Sequence, residues 1–153
     1  MKVEILKQGY DSEKLFTVVN RWYDEAQKSK FGLNVDLVTA LFDIDQLISL
    51  PDTDVLVLVD EDVFIGFMGM GSSFSKVGNQ RVAEERYYYV IPEKRGISSL
   101  RLVKASENWA KEKECTHFII YASNLASKLH DRICKLYERL GMQLFETSYI
   151  KEL

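Results

Sequence analysis

Residues 87–111 read YYYVIPEKRGISSLRLVKASENWAK, and this stretch decides how the rest of the chain is arranged. An aromatic strand stops at Pro92, a short basic turn follows, and a helix begins after Gly96. A strand, turn and helix in this order place free backbone N–H groups and the positive end of a helix dipole at one point. The stretch therefore predicts an anion site that suits a phosphate group.

The composition is typical of a compact globular protein. Of the 153 residues, 46% are hydrophobic and 28% charged, so we expect residues 1–153 to form a single domain with its own core. The net charge of −3 and the lack of a basic cluster argue against a nucleic-acid partner. No signal peptide or membrane-spanning run is evident, so we expect a cytoplasmic protein without a membrane partner.

The two cysteines, Cys115 and Cys134, fall in a strand-like run and a helix-like run. Neither belongs to a motif with the ligand spacing of a zinc site, so we expect no metal. Reduced, buried thiols are the prediction for both residues.

The hydrophobic pattern predicts the element order β-α-α-β-β-β-α-β-α-β. The predicted elements are a strand over 1–7, a helix from Asp11 or Ser12 to Gly32, a less regular helix over 33–50, a hairpin over 54–74 with an acidic turn at 60–62, a strand over 82–91, a helix ending near Glu112, a strand over 115–123, a helix over 129–140 closed by Gly141, and a last strand over 143–153. The strand over 115–123 is apolar almost throughout, which indicates helices on both faces of the sheet. The fold class is α/β or α+β, with a central mixed, mostly antiparallel sheet and about four helices.

Side chains of the strand over 82–91 are expected to alternate between two faces. One face would carry Glu84, Arg86, Tyr88 and Val90, and the other Glu85, Tyr87, Tyr89 and Ile91. Glycines in the preceding strand indicate a bulge, a close approach by a backbone or ligand, or a helix packed over the sheet, and they are Gly66, Gly69 and Gly71.

Two motifs stand on either side of one helix and one buried strand. Residues 135–142 read KLYERLGM, and residues 89–96 read YVIPEKRG. They are similar to the lYerlGF and YVxPExRG signatures of the GCN5-related N-acetyltransferase (GNAT) superfamily, with Met142 in place of the usual Phe. The resemblance covers nearly the whole chain. Serines stand where the family's Q/R-x-x-G-x-G/A turn has later glycines, which resembles compact phage-type members.

The resemblance implies that the turn holds the pyrophosphate of acetyl-CoA. Backbone N–H groups of Gly96, Ile97, Ser98 and Ser99 would bind phosphate oxygens, and Arg95 would add a charged fork. The pantetheine arm would bond to the backbone of Tyr88, Tyr89 and Val90, as an added strand does. Asn124 and His130 are the other implied cofactor contacts, although each could instead be an ordinary loop or helix-start residue. Lys94, Arg101 and Lys104 either serve another phosphate or form a solvated face.

The resemblance also implies catalytic roles. Tyr137 would be the general acid that protonates the departing thiolate, since a phenol near pKa 10 can share a proton with a thiol near 8.5. A core tyrosine with a satisfied hydroxyl is the alternative. Glu84 resembles the family's strand glutamate and would be the base that deprotonates the substrate ammonium, with ordered water as the alternative.

The chain is therefore expected to be an acetyl-CoA-dependent N-acetyltransferase that acts on a primary amine by direct attack in a ternary complex. A catalytically inactive GNAT-like module that binds a protein partner through the sheet or the 72–81 loop is the alternative. Acidic residues within 43–62 would suit a cationic acceptor such as a polyamine, an aminoglycoside or a lysine-bearing peptide. A homodimer through sheet edges or late strands stays open.

Overall fold

A computed structural model describes residues 1–27, 31, 33–123 and 129–153 of the chain. The elements follow the predicted order up to the last helix. They are β1 (Lys2–Ile5), α1 (Ser12–Ala26), α2 (Leu37–Ser49), β2 (Thr53–Asp60), β3 (Val63–Phe74), β4 (Arg81–Val90), a 3₁₀ turn (Pro92–Lys94), α3 (Ile97–Glu112), β5 (His117–Ile119) and α4 (His130–Arg139).

The five strands form one mixed sheet in the order β1-β2-β3-β4-β5. The first three pairings are antiparallel, and β4 pairs with β5 in parallel. The β2–β3 connection is tight, because Glu61 and Asp62 both adopt the left-handed conformation that such hairpin turns require. The predicted mixed, mostly antiparallel sheet is confirmed.

The first two helices begin where the sequence supplies capping side chains. Asp11 accepts a hydrogen bond from the Lys14 N–H (3.1 Å) and starts α1, as predicted. Asp36 accepts a hydrogen bond from the Thr39 N–H (2.7 Å) in the same way and caps α2, which begins at Leu37. The helix then continues without a break to Ser49. The predicted end of the first helix, Gly32, lies outside the described residues. Among the helices that the structure describes, none has the length and apolar character needed to cross a membrane.

Helices cover the sheet on both faces. On one face, which we call the α1–α2 face, Trp22 of α1 packs edge-on against Tyr87, with ring centroids 5.6 Å apart. On the other, the α3 face, the Trp109 indole N–H donates to the buried Asp54 carboxylate of β2 (2.8 Å). The core lies between these layers and is formed mainly by β2, β3 and the inner sides of α1, α2 and α3.

Near the end of the chain, one predicted strand is shorter and less buried than expected, and another is absent. The predicted strand over 115–123 is reduced to His117–Ile119, and these residues are exposed or half-buried rather than covered on both faces. The predicted strand over 143–153 is absent, since no ladder includes these residues and side chains such as Leu144, Phe145 and Tyr149 are 83%, 77% and 94% exposed. Apolar and β-branched residues do not by themselves form a strand without a neighbouring edge to bond to.

The glycines of β3 are explained by close packing. A Cβ at Gly66 would lie 2.7 Å from the Tyr89 carbonyl oxygen, and one at Gly69 would lie 2.8 Å from Leu47 Cδ1 of α2. A bulge also occurs beside Gly69. Backbone approach, helix packing and a bulge, which the sequence left as alternatives, therefore all occur along this strand.

We expect Gly66→Ala to destabilise the protein by about 1–3 kcal/mol, because the new methyl group would overlap the rigid backbone of β4. Gly78→Ala is the matched control, since the nearest atom to its Cβ is the flexible Gln80 side chain at 3.8 Å. Urea unfolding measures both variants. Equal midpoints for the two would contradict the close contact at Gly66.

Candidate active site

The sheet opens between β4 and β5. The two strands pair only from Val82–Glu84 against His117–Ile119, whereas β4 continues to Val90. Two residues past the last pair, the Tyr121 N–H donates to the Glu85 side chain (3.0 Å) instead of a backbone carbonyl. A carboxylate thus stands where a ladder bond would continue, and no described residue pairs with residues 85–90 of β4 on that side. We call the space beside this unpaired stretch the gap.

A bulge at Arg86 decides which β4 side chains point to which face. Met70 is opposite Glu85 and Gly69 is opposite Tyr87, so Arg86 is an extra residue with no partner in the register. Glu85 consequently shares the α3 face with Tyr88. The opposite α1–α2 face carries Glu84 together with Tyr87 and Tyr89. The predicted face assignment is wrong, because regular alternation was assumed across the bulge.

Glu85 and Tyr137 meet at one residue of the gap, Tyr121. The backbone N–H of Tyr121 donates to Glu85, and its carbonyl accepts a hydrogen bond from the Tyr137 hydroxyl at 3.4 Å. Both side chains are buried, with 7% of each residue exposed. A carboxylate and a phenol are thereby both hydrogen-bonded to the backbone of one residue.

Burial changes the proton affinity of both groups. It raises the pKa of Glu85 to about 7, an effect that the Tyr121 N–H opposes and the neighbouring Glu84 charge reinforces. Burial also raises the pKa of Tyr137, and the nearby Tyr88, Glu85 and Cys134 add to this. The site therefore contains a carboxyl group that exchanges its proton near neutral pH and a phenol that keeps its proton.

The start of α3 presents backbone groups at the end of β4. Gly96 adopts a φ of +104°, and a Cβ there would meet no atom within 4 Å. Among the described residues, no side chain caps this helix, and Ile97, its first residue, is 80% exposed. Of the predicted phosphate donors, the Ser99 N–H already donates to the Gly96 carbonyl (3.0 Å). The Tyr88 hydroxyl donates to the Ser99 carbonyl (3.0 Å) and ties the first turn of α3 to β4. The helix start is thus fixed in position, and it is open to a ligand in the way that an anion site requires.

Ion pairs hold the turn before this helix. Glu93 accepts two hydrogen bonds from Arg21 of α1 (2.6 and 2.9 Å), and Lys94 contacts Asp60 at the end of β2 (2.8 Å). Arg95 donates to both Glu25 carboxylate oxygens (3.0 and 2.8 Å) and to the Val90 carbonyl (2.8 Å). The turn is consequently anchored on both sides.

The predicted site residues are distributed as follows. Tyr137, Tyr88, Gly96, Ile97, Ser98 and Ser99 lie around the gap or at the helix start. Tyr89 points to the α1–α2 face, where its hydroxyl donates to Glu25 (2.6 Å), so only its backbone can face a ligand in the gap. The Arg95 guanidinium already has a carboxylate partner, and the Val90 carbonyl already accepts from Arg95.

Two other predicted residues contact the segment that follows β5, at its edge of the gap. Glu84 accepts a short hydrogen bond from the Tyr121 hydroxyl on the face opposite Tyr137. His130, at the start of α4, has its Nδ1 2.7 Å from the Ala122 carbonyl oxygen. Asn124 lies outside the described residues.

Sequence reasoning missed Glu85 and Tyr121. The signal for Glu85 was indirect, since Gly69, which pairs with Tyr87, indicated a bulge but not which residue of β4 would be the extra one. Nothing in the sequence indicated that the strand over 115–123 would leave β4 after three residues. Both cysteines are free, as predicted, but they are half-buried and not buried.

Comparisons with known proteins agree with this architecture. A model of the acetyltransferase (GNAT) family matches residues 19–142. Among curated proteins, no sequence matches the chain. Among solved structures, several have the same fold. One is a ribosomal-protein-alanine N-acetyltransferase from Brucella melitensis biovar Abortus 2308, with 16% sequence identity and a TM-score of 0.69 over 100% of both chains.

Two further solved structures are similar in fold. A GNAT family acetyltransferase from Staphylococcus aureus subsp. aureus USA300_TCH1516 has 17% identity and a TM-score of 0.65, over 100% of both chains. An aminoglycoside acetyltransferase from an uncultured soil metagenomic sample, in complex with sisomicin, has 15% identity and a TM-score of 0.67, over 99% of this chain and 96% of that one.

Proposed function

Because the chain belongs to the acetyltransferase (GNAT) family and is an N-acetyltransferase, we propose that it transfers the acetyl group of acetyl-CoA to a primary amine by direct attack in a ternary complex. The observation that carries the proposal is the meeting of Glu85 and Tyr137 at Tyr121, where the sheet opens. The Glu85 carboxylate can accept a proton near neutral pH, and the Tyr137 hydroxyl can donate a hydrogen bond.

The residues at the start of α3 fit the phosphates of acetyl-CoA. Gly96 has open space around it, and the N–H groups that follow it have no capping side chain. Arg95 fits less directly, because Glu25 neutralises its guanidinium, and we assign it to holding the turn. The edge of Tyr88–Val90 that β5 leaves unpaired would bond to the pantetheine arm as an added strand.

Acetyl-CoA supplies a thioester, whose carbonyl carbon the amine attacks and whose thiolate leaves. Glu85 is the base in this proposal, in place of Glu84. A substrate ammonium near pKa 10 must lose a proton before it can attack, and a carboxylate with a pKa of about 7 accepts that proton more readily than an ordinary glutamate.

Tyr137 acts on acetyl-CoA, the second reactant, in this proposal. Its raised pKa keeps the phenol protonated at every physiological pH, so its O–H is available to the sulfur on which negative charge develops. In the structure this O–H makes only a long bond to the Tyr121 carbonyl, at 3.4 Å. Turning from that carbonyl to a thiolate would cost little.

The proposed acceptor is a small molecule that bears a primary amine. The aminoglycoside acetyltransferase solved with sisomicin supports this choice by similarity of fold. Acidic side chains near the open end of the sheet, including Glu84 and Asp43, would attract a cation.

A thermal melt with and without acetyl-CoA tests cofactor binding. A ligand at 100 times its Kd adds about 2.7 kcal/mol to the free energy of unfolding, which shifts the transition plainly. Thiol release with a panel of amines then tests transfer. If millimolar acetyl-CoA leaves the melt unchanged, the inactive, protein-binding module is the better description of the chain.

Gly96→Ala is expected to abolish most of the acetyl-CoA-induced shift, because an L-residue rarely adopts a φ of +104° and the N–H groups of the helix start would turn away. Gly9→Ala is the matched control. Gly9 also has a positive φ, +85°, and open space around it, but it lies between β1 and α1. A full shift in Gly96→Ala, or an equal loss in Gly9→Ala, would contradict the assigned phosphate site.

A further inference from the structure

His130 and Cys134 form a pair one turn apart on α4. The His130 Nδ1 lies 2.7 Å from the Ala122 carbonyl oxygen. A carbonyl oxygen can only accept, so Nδ1 carries the ring hydrogen, and in the neutral ring Nε2 is left with a lone pair. The Cys134 Sγ lies 3.5 Å from that Nε2. The Cys134 thiol thus has a base as its hydrogen-bond partner.

The other cysteine has no such partner among the contacts described. The Cys115 Sγ lies 3.8 Å from the Lys113 carbonyl oxygen, which accepts a hydrogen bond but does not take the proton. Cys115 also packs against the hydrophobic core. Both thiols are half-buried, so the base and not the exposure distinguishes them.

The pair lies beside the candidate active site. Cys134 precedes Tyr137 by three residues, and side chains at this spacing are neighbours on a helix surface. Ala122, which fixes the His130 ring, follows Tyr121, which binds Glu85 and Tyr137. A group attached to Cys134 would therefore lie next to the phenol of Tyr137.

We propose that Cys134 is a thiol modification site that reacts with small disulfides, with His130 as its base. His130 Nε2 takes the thiol proton, and the thiolate attacks one sulfur of a disulfide R–S–S–R. A bond forms between Cys134 Sγ and that sulfur while the original S–S bond breaks. The second half of the disulfide leaves with the electron pair, takes the proton from His130 and departs as R–SH. Cys134 is oxidised and the leaving half is reduced.

The experiment uses the full chain and the chromogenic disulfide 5,5′-dithiobis(2-nitrobenzoate), so it does not depend on acetyl transfer. Folded wild-type protein is treated with less than one equivalent at pH 7, and peptide mass spectrometry locates the adduct. We expect roughly ten times more adduct on Cys134 than on Cys115. Equal labelling, or more labelling on Cys115, would overturn the proposal, and no substitution is needed to see either result.

A second measurement tests the base. In a Cys115→Ser background, His130→Gln should slow thionitrobenzoate release at pH 7 about tenfold, because a glutamine amide can still donate to Ala122 but cannot take a proton. A melt checks that the variant stays folded. An unchanged rate in a folded variant would remove His130 from the reaction and overturn the assigned pair.

Discussion

Glu85→Gln is expected to melt at a higher temperature than the wild-type protein at pH 8 and to transfer acetyl groups about 100-fold more slowly. The lower rate follows from loss of the proposed base. The higher stability follows from burial, which raises the pKa of Glu85 to about 7, so that an ionised carboxylate is held in a place that disfavours its charge. Glutamine keeps an oxygen for the Tyr121 N–H and carries no charge.

The stability difference depends on pH in a direction fixed by the pKa of Glu85. Below pH 4.5, the reference value of glutamate, both the folded and the unfolded chain hold this proton. Between that pH and about 7 only the folded chain holds it, so the free energy of unfolding falls as pH rises, and above 7 no further loss occurs. The free energy of unfolding that the wild-type protein loses over this pH range is about 3 kcal/mol. This loss corresponds to at most roughly 5–10 °C in Tm.

Melts of both proteins from pH 5 to pH 8 measure this effect. The gain in Tm should be present at pH 8 and should shrink towards pH 5, while wild-type kcat/KM should rise with pH through about 7. Glu84→Gln is the matched control, because Glu84 is the neighbouring carboxylate on the opposite face. A larger loss of turnover in Glu84→Gln, or a gain in Tm that does not vary with pH, would contradict the assignment of Glu85.

The difference between Glu84 and Glu85 shows what the sequence can and cannot predict. Apolar periodicity and a capping residue such as Asp11 are local signals, and α1 begins where these signals place it. The face of the sheet to which a strand side chain points depends instead on the number of residues between it and the rest of the strand. An inserted residue reverses the alternation. One extra residue, Arg86, moves Glu85 to the α3 face.

The separation of β4 from β5 has a similar origin. Residues 115–123 are apolar enough to form a long central strand, but only His117–Ile119 pair with β4. The next bond is made by the Glu85 side chain, whose direction depends on the bulge. The gap therefore follows from a long-range contact, which a pattern along the chain does not contain. The KLYERLGM motif indicated Tyr137 independently of this gap.

Tyr137→Phe is expected to lower kcat about 100-fold while leaving the affinity for acetyl-CoA nearly unchanged. The substitution removes the O–H that we assign to the departing sulfur and keeps the ring that fills the buried position. Its effect on stability should be about 1 kcal/mol or less, since the only described bond of this hydroxyl is the 3.4 Å contact with Tyr121.

Tyr87→Phe provides the matched control for this loss. The Tyr87 hydroxyl donates to Asp43 at 2.7 Å on the α1–α2 face, so its removal should cost at least as much stability as the change at Tyr137 and leave kcat near the wild-type value. Initial rates of thiol release at saturating acetyl-CoA, with cofactor Kd from calorimetry, separate the two variants. If Tyr137→Phe instead weakens acetyl-CoA binding and retains kcat, the Tyr137 hydroxyl has a structural role in the gap. The departing thiolate must then receive its proton from solvent or from another group.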